Sequence, residues 1–278
     1  TQTRGTMNRS QADILNSKAG MARLLHPLAS RQQLLMALAS STGGQAEAAS
    51  SRDCVVAGLL GNAEQWKRFE LAWRRPAIET AAPRGMLEDS RPDQSRALAD
   101  LIDTCRLTAI GSRVAGEEYA GLSPEMRRDL TGGRPAEPSI LCFRHCLREA
   151  ARKASKLPPE EKVCFVLDGQ DDLSAQAAWL FEEIKSLEPA PVHERLGALG
   201  FEPKRHFAAL QAAEWLTREL LPPSGINGSK PGLRGRPGIS GTLPQRLNFK
   251  SFDQHALRLL QRDGETHRRE WNRSVSGM

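Results

Sequence analysis

The apolar positions of this chain fall into short continuous runs separated by amphipathic stretches. Residues 53–60, Asp-Cys-Val-Val-Ala-Gly-Leu-Leu, and 162–168, Lys-Val-Cys-Phe-Val-Leu-Asp, carry no polar alternation in their interiors. Runs that are apolar on both sides predict strands buried on both faces. After the first run, Asn62 stands at an N-cap position with Gln65 at its capping-box partner. Trp66, Phe69 and Trp73 then recur at helical spacing before Pro76. Further helices are predicted over 93–106 (Leu98, Leu101, Ile102 and Cys105 on one face), 140–155, 173–187, 207–221 and 253–262, with short strands at 107–111 and 196–201. Strands alternating with helices predict an α/β domain in which 53–60, 163–168 and 197–201 share one sheet and helix 207–221 packs on it.

The two ends look different. Residues 1–50 offer one helix-like stretch near Met21 to Leu38, followed by a Ser-, Gly- and Ala-rich stretch over 39–51. That pattern predicts an irregular or mobile arm over 1–36, one domain over 37–262 and a C-terminal tail over 263–278. Inside that domain, residues 222–252 read as a flexible basic loop. Lys230, Arg234, Arg236, Arg246 and Lys250 are set among Gly and Pro with no acidic residue between Leu220 and Phe252.

Composition narrows the class. Of 278 residues, 39% are hydrophobic and 26% charged, as in an ordinary globular protein, and a net charge of +6 suits a polyanionic partner. The five cysteines, Cys54, Cys105, Cys142, Cys146 and Cys164, are odd in number and lie mostly inside apolar patterns, which predicts free thiols in a reducing compartment. No apolar run is long enough to span a bilayer, and no charged start leads into an apolar leader. A cytoplasmic location is expected. Gly-rich phosphate loops, nucleophile elbows and dinucleotide fingerprints do not occur in the sequence.

Several segments carry a family resemblance in order and spacing. They are Cys54-Val-Val-Ala-Gly-Leu-Leu-Gly with Glu64-Gln65-Trp66 and Phe69, then Cys142-Phe143-Arg144, Phe165-Val166-Leu167-Asp168, and Leu210-Gln211-Ala212-Ala213-Glu214 with Glu219. Over about residues 37–262 the chain resembles the bacterial family called domain of unknown function 3800. The resemblance implies a ribonuclease H-like fold, a mixed sheet flanked by helices, and a metal-dependent nuclease. In such nucleases carboxylates from a central strand, a neighbouring strand and a helix hold divalent ions, which activate water and stabilise the leaving oxygen. Carried onto this chain, Asp168 and Glu214 are the expected ligands of Mg²⁺ or Mn²⁺, with Glu219 a third catalytic candidate. Lys230, Arg234, Arg236, Arg246 and Lys250 are the expected contacts to DNA or RNA.

The chain also departs from that pattern. The family's first strand ends in Asp-Glu-Ser-Gly, and the corresponding Leu38-Ala39-Ser40-Ser41-Thr42-Gly43 has no carboxylate. A family His and Asp have no counterpart between Ala77 and Leu87, and the usual Asp of the last motif is Glu214. A degenerate member that binds nucleic acid or a protein without cleaving is therefore the alternative to a nuclease. Structural roles compete with every site residue: Asp168 as the cap of the next turn, Glu214 as the i, i+4 partner of Arg218. Cys142, His145 and Cys146, with Cys164 as a fourth ligand, have the spacing of a helical core face as much as that of a zinc site. His206, ahead of the last motif, is a candidate proton-transfer group whose ordinary role is a cap or surface residue.

Overall fold

The structure is a computed structural model that describes residues 33–43, 53–73, 92–130, 137–169, 173–187, 190–221, 243–260 and 262. Six strands form one sheet: β1 (Gln33–Gly43), β2 (Asp53–Asn62), β3 (Thr108–Val114), β4 (Lys162–Asp168), β5 (Leu196–Glu202) and β6 (Leu247–Phe252), in the order β5-β4-β1-β2-β3-β6. β1, β2 and β3 are successively antiparallel, β4 pairs parallel to β1 and to β5, and β6 pairs parallel to β3. The domain is thus an α/β fold with a mixed sheet flanked by helices, and the predicted strands at 53–60, 163–168 and 197–201 share that sheet.

Side-chain alternation assigns the helices to two faces. One face carries Met36, Leu38, Val56, Ile110, Phe165 and Leu167 beneath α5 (Pro138–Ala154) and α6 (Ser174–Leu187). The short helices α3 (Gly116–Ala120), α4 (Pro124–Leu130) and α7 (Ala190–His193), together with α9 (254–260), also add apolar side chains there. The other face carries Leu35, Ala37, Val55, Leu59 and Val166 beneath α1 (Ala63–Trp73), α2 (Pro92–Thr104) and α8 (Ala208–Leu220). Among the described residues, no helix is long and apolar enough to cross a membrane.

The junction of β2 and α1 behaves as its sequence predicts. Gln65 N–H donates to Asn62 Oδ1 at 2.9 Å and Asn62 N–H donates to Gln65 Oε1 at 2.8 Å, a reciprocal capping box. Trp66, Phe69 and Trp73 turn inward, and Trp66 Nε1 donates to the Leu35 carbonyl at 2.9 Å.

Two elements correct the sequence-based expectations. The end of the helix-like stretch, 33–38, is strand, and that strand continues to Gly43 through the residues that the resemblance aligns with the end of the family's first strand. Residues 33–36 therefore belong to the sheet, while 1–32 lie outside the described residues. β1 is flanked by β2 and β4, so Leu34 to Ala39 are all buried. A strand with two apolar faces loses the period-2 signal, and its Leu, Met and Ala content favours helix when read locally. The second correction is β6, which occupies the end of the stretch read as a basic loop over 222–252. Residues 222–242 and 263–278 lie outside the described residues.

Candidate functional site

β4 and β1 run parallel with Leu167 beside Leu38, so the next pair in register is Asp168 and Ala39. Asp168 shares the parity of Val166 and faces α8, and it is one of few buried polar residues among the described residues, 7% exposed. β5 ends at Glu202 beside Asp168. Pro203 and a single 3-10 turn, Lys204–His206, then lead into α8. Gln211 Nε2 donates to the Lys204 and Arg205 carbonyls at 3.2 and 3.3 Å and hooks this turn onto the first turns of α8. Phe207, buried at the junction, anchors it from below.

This turn brings a third charge between the two expected acids. Lys204 Nζ lies 2.9 Å from Glu214 Oε2 and 3.7 Å from Asp168 Oδ2, and Lys204 N–H points at Asp168 Oδ1 across a long 3.4 Å. Glu214 is held again from its own helix by Arg218 Nη2 at 2.6 Å. Asp168, Lys204 and Glu214 line a small pocket with Leu38, Ala39, Ser40 and Leu210. Asp168 and Glu214 thus do converge, as expected, but around an ammonium group, and the i, i+4 pair of Glu214 with Arg218 is also present.

A divalent ion does not fit this donor set. Mg²⁺ requires about six oxygens at about 2.0–2.1 Å, usually with carboxylates free to supply several of them. Here two carboxylates face two cations, and the strand position beside Asp168 is a methyl group, Ala39. Among the described residues, no cluster of three or more His, Cys, Asp and Glu side chains is arranged to hold a metal ion.

Glu219 belongs elsewhere. Its Oε1 accepts the Ser95 hydroxyl at 2.8 Å, and Ser95 Oγ in turn accepts Trp215 Nε1–H at 3.2 Å, which ties α8 to α2 rather than to the acid pair. Lys230, Arg234 and Arg236 lie outside the described residues, as does the segment 77–87 expected to lack the family His and Asp. Arg246 is exposed just ahead of β6, and Lys250 is exposed on it. The zinc alternative does not assemble. Cys142 and Cys146 Sγ donate to the carbonyls of Cys54 and Val56 under α5, while Cys164 packs on the opposite face of the sheet. His206 closes the 3-10 turn.

Sequence reasoning missed a second charged assembly, along α5 and β6. Asn248 Nδ2 donates to Glu149 Oε2 at 2.8 Å, and Phe252 meets the His145 ring edge-on with centroids 5.6 Å apart, so β6 lies along α5. Arg148, Arg152 and Lys250 are close enough to act on the charge of His145, and Arg152 is also paired to Glu149. Burial holds the His145 pKa down to about 4; Glu149 works against this, and the three cations add to it. The signal for this face was present in the i, i+4 arginines 148 and 152. It had no partner while 247–252 read as loop. Lys204 was also missed, although Lys204-Arg205-His206 is a basic run placed directly between β5 and α8.

Set against known proteins, the chain matches no protein-family model and no curated protein.

Proposed function

We propose that this chain is a ribonuclease H-like domain that binds nucleic acid through its α5–β6 face and does not cleave it at Asp168 and Glu214. An antiparallel β1-β2-β3 unit extended by parallel β4 and β5, with an acid at the end of β4, supports the ribonuclease H-like reading. The observation that carries the non-cleaving role is a separation. Asp168, at the end of β4, and Glu214, on α8, lie on one face of the sheet. Lys250, Arg148 and Arg152 sit with α5 on the other face, at the β6 edge. Four strand spacings of about 4.8 Å separate β4 from β6, roughly 19 Å across the sheet. A backbone held by these cations lies far from the acid pair.

The physical basis of binding is counterion release: each phosphate neutralised steepens the salt dependence by about 0.9 for duplex DNA and about 0.7 for single strands. Lys230, Arg234, Arg236 and Arg246 belong to the same proposal as further cations of the chain segment that leads into β6.

The test uses labelled single- and double-stranded DNA and RNA in a gel-shift and cleavage assay with Mg²⁺ or Mn²⁺. Binding is expected to weaken steeply with salt, and Arg148→Ala with Lys250→Ala is expected to weaken it and flatten the slope by up to about 2. Asp168→Asn should leave binding unchanged, and no strand should be cut. The competing reading, a metal-dependent nuclease, is favoured by the convergence of Asp168 and Glu214. Metal-dependent cutting that disappears in Asp168→Asn would establish it and overturn the proposal. Absence of any binding would transfer the fold to a protein partner.

A further inference from the structure

We infer that Lys204 is a tethered counterion in the place where the resemblance puts a divalent ion, so that the Asp168–Glu214 pair takes no metal as the chain stands and becomes a cation site once Lys204 is removed. The inference rests on the ribonuclease H-like reading above and assigns Lys204 its part in it.

Geometry provides the first argument. The ammonium lies within hydrogen-bonding distance of Glu214 and within ion-pairing distance of Asp168, between carboxylates delivered by a strand and a helix. Its backbone is fixed as well: the Lys204 carbonyl is held by Gln211, and the turn grows directly out of β5. Being part of the chain, the ammonium is present at an effective concentration that a dissolved ion must exceed. Its side chain remains 41% exposed, so it reaches the acids from the solvent side and can be exchanged without rebuilding the core.

Charge accounting provides the second. Lys204 pairs with both Asp168 and Glu214, and Arg218 pairs with Glu214. Without Lys204, Glu214 keeps Arg218 while the pocket loses the ammonium that lies between its two carboxylates, and it then attracts a hard cation more strongly. The position beside Asp168 in the β1–β4 register is Ala39, so a carboxylate introduced there would join the same pocket.

The experiment follows Mn²⁺ alone, by calorimetric titration and by thermal unfolding at millimolar Mn²⁺, in the wild type and in four variants of the full chain. Wild type and Lys204→Arg are expected to show no saturable binding and no change in Tm. Lys204→Gln is expected to bind at least about tenfold more tightly than wild type, with a Tm rise of a few degrees on adding the metal. Adding Ala39→Asp to Lys204→Gln should strengthen binding further, and adding Asp168→Asn should abolish it. Wild type binding Mn²⁺ as tightly as Lys204→Gln, or Lys204→Gln gaining nothing, overturns the inference. If Lys204→Gln is unfolded without metal, recovery of its circular dichroism by Mn²⁺ supports the inference, and failure to recover counts against it. Nucleic-acid binding is read separately by gel shift, so loss of that reading and loss of this one are distinguishable.

Discussion

Glu219 and Ser95 are joined by a 2.8 Å hydrogen bond, and the same serine oxygen receives the indole N–H of Trp215. This chain of two bonds fastens α8 to α2. Ser95 is buried, so Ser95→Ala leaves the indole donor and the Glu219 carboxylate unpaired and should cost about 1–3 kcal/mol. Glu219→Gln, which keeps an acceptor, should cost less than about 1 kcal/mol. Urea unfolding of both variants checks this; equal losses would mean that the carboxylate charge itself matters there.

Arg106 is the one non-glycine residue with positive φ among the described residues, at 58°. It ends α2 in a left-handed turn, with Arg106 N–H donating to Asp103 O at 2.9 Å and Leu107 N–H to Ile102 O at 3.1 Å. Its carbonyl also receives Gln65 Nε2 at 2.6 Å, and a glycine there retains that bond. Arg106→Gly should therefore stabilise the domain by about 0.5–1 kcal/mol, read as a higher urea midpoint at unchanged slope. A lower midpoint would show that the arginine side chain outweighs its backbone strain.

His145 predicts a pH dependence. Its folded pKa is lowered to about 4 from 6.5, so between these values the unfolded chain takes up a proton that the folded chain refuses. Stability is present above pH 6.5 and is lost as pH falls from there towards 4, by up to about 3 kcal/mol. The charges facing the ring are Glu149, Arg148 and Arg152 of α5 and Lys250 of β6. His145→Leu should flatten the fall in Tm between pH 7.5 and 5. An unchanged fall would assign the acid sensitivity to carboxylates.

Gly58 lies opposite Leu38 in the β1–β2 ladder, and a Cβ there overlaps the Ala37 carbonyl and presses on the Leu38 side chain. The obstruction is backbone at the centre of the sheet, so it cannot swing aside. Gly58→Ala should cost at least about 2 kcal/mol, measured by urea unfolding. A loss below about 0.5 kcal/mol would mean that β1 and β2 separate easily at this point.

What the sequence revealed depended on how local the determinants were. The capping box at Asn62 and Gln65, the apolar runs of β2 and β4 and the inward stripe of α8 are each specified within a few residues, and all were legible. The first half of β1 was not, because Gln33-Leu-Leu-Met-Ala-Leu becomes a strand only through pairing with β2 and with β4, over a hundred residues further on. β6 was hidden for the same reason: Leu247-Asn-Phe-Lys-Ser-Phe is short, follows a Gly- and Pro-rich stretch and finds its partner in β3. At the site, Asp168 and Glu214 could be named from their motifs. Lys204 could not, since its role exists only where β5, the 3-10 turn and α8 meet.

β6 gives the far side of the sheet a cover. Without it, β3 would present a bare row of N–H and C=O groups flanked by Ala109, Ile110 and Val114, all buried as the chain stands. Such an exposed apolar edge is a template for another chain. A chain cut before Leu247 would thus be at risk of self-association through β3, and β6 acts as a guard against aggregation as well as a carrier of the positive charge of Lys250.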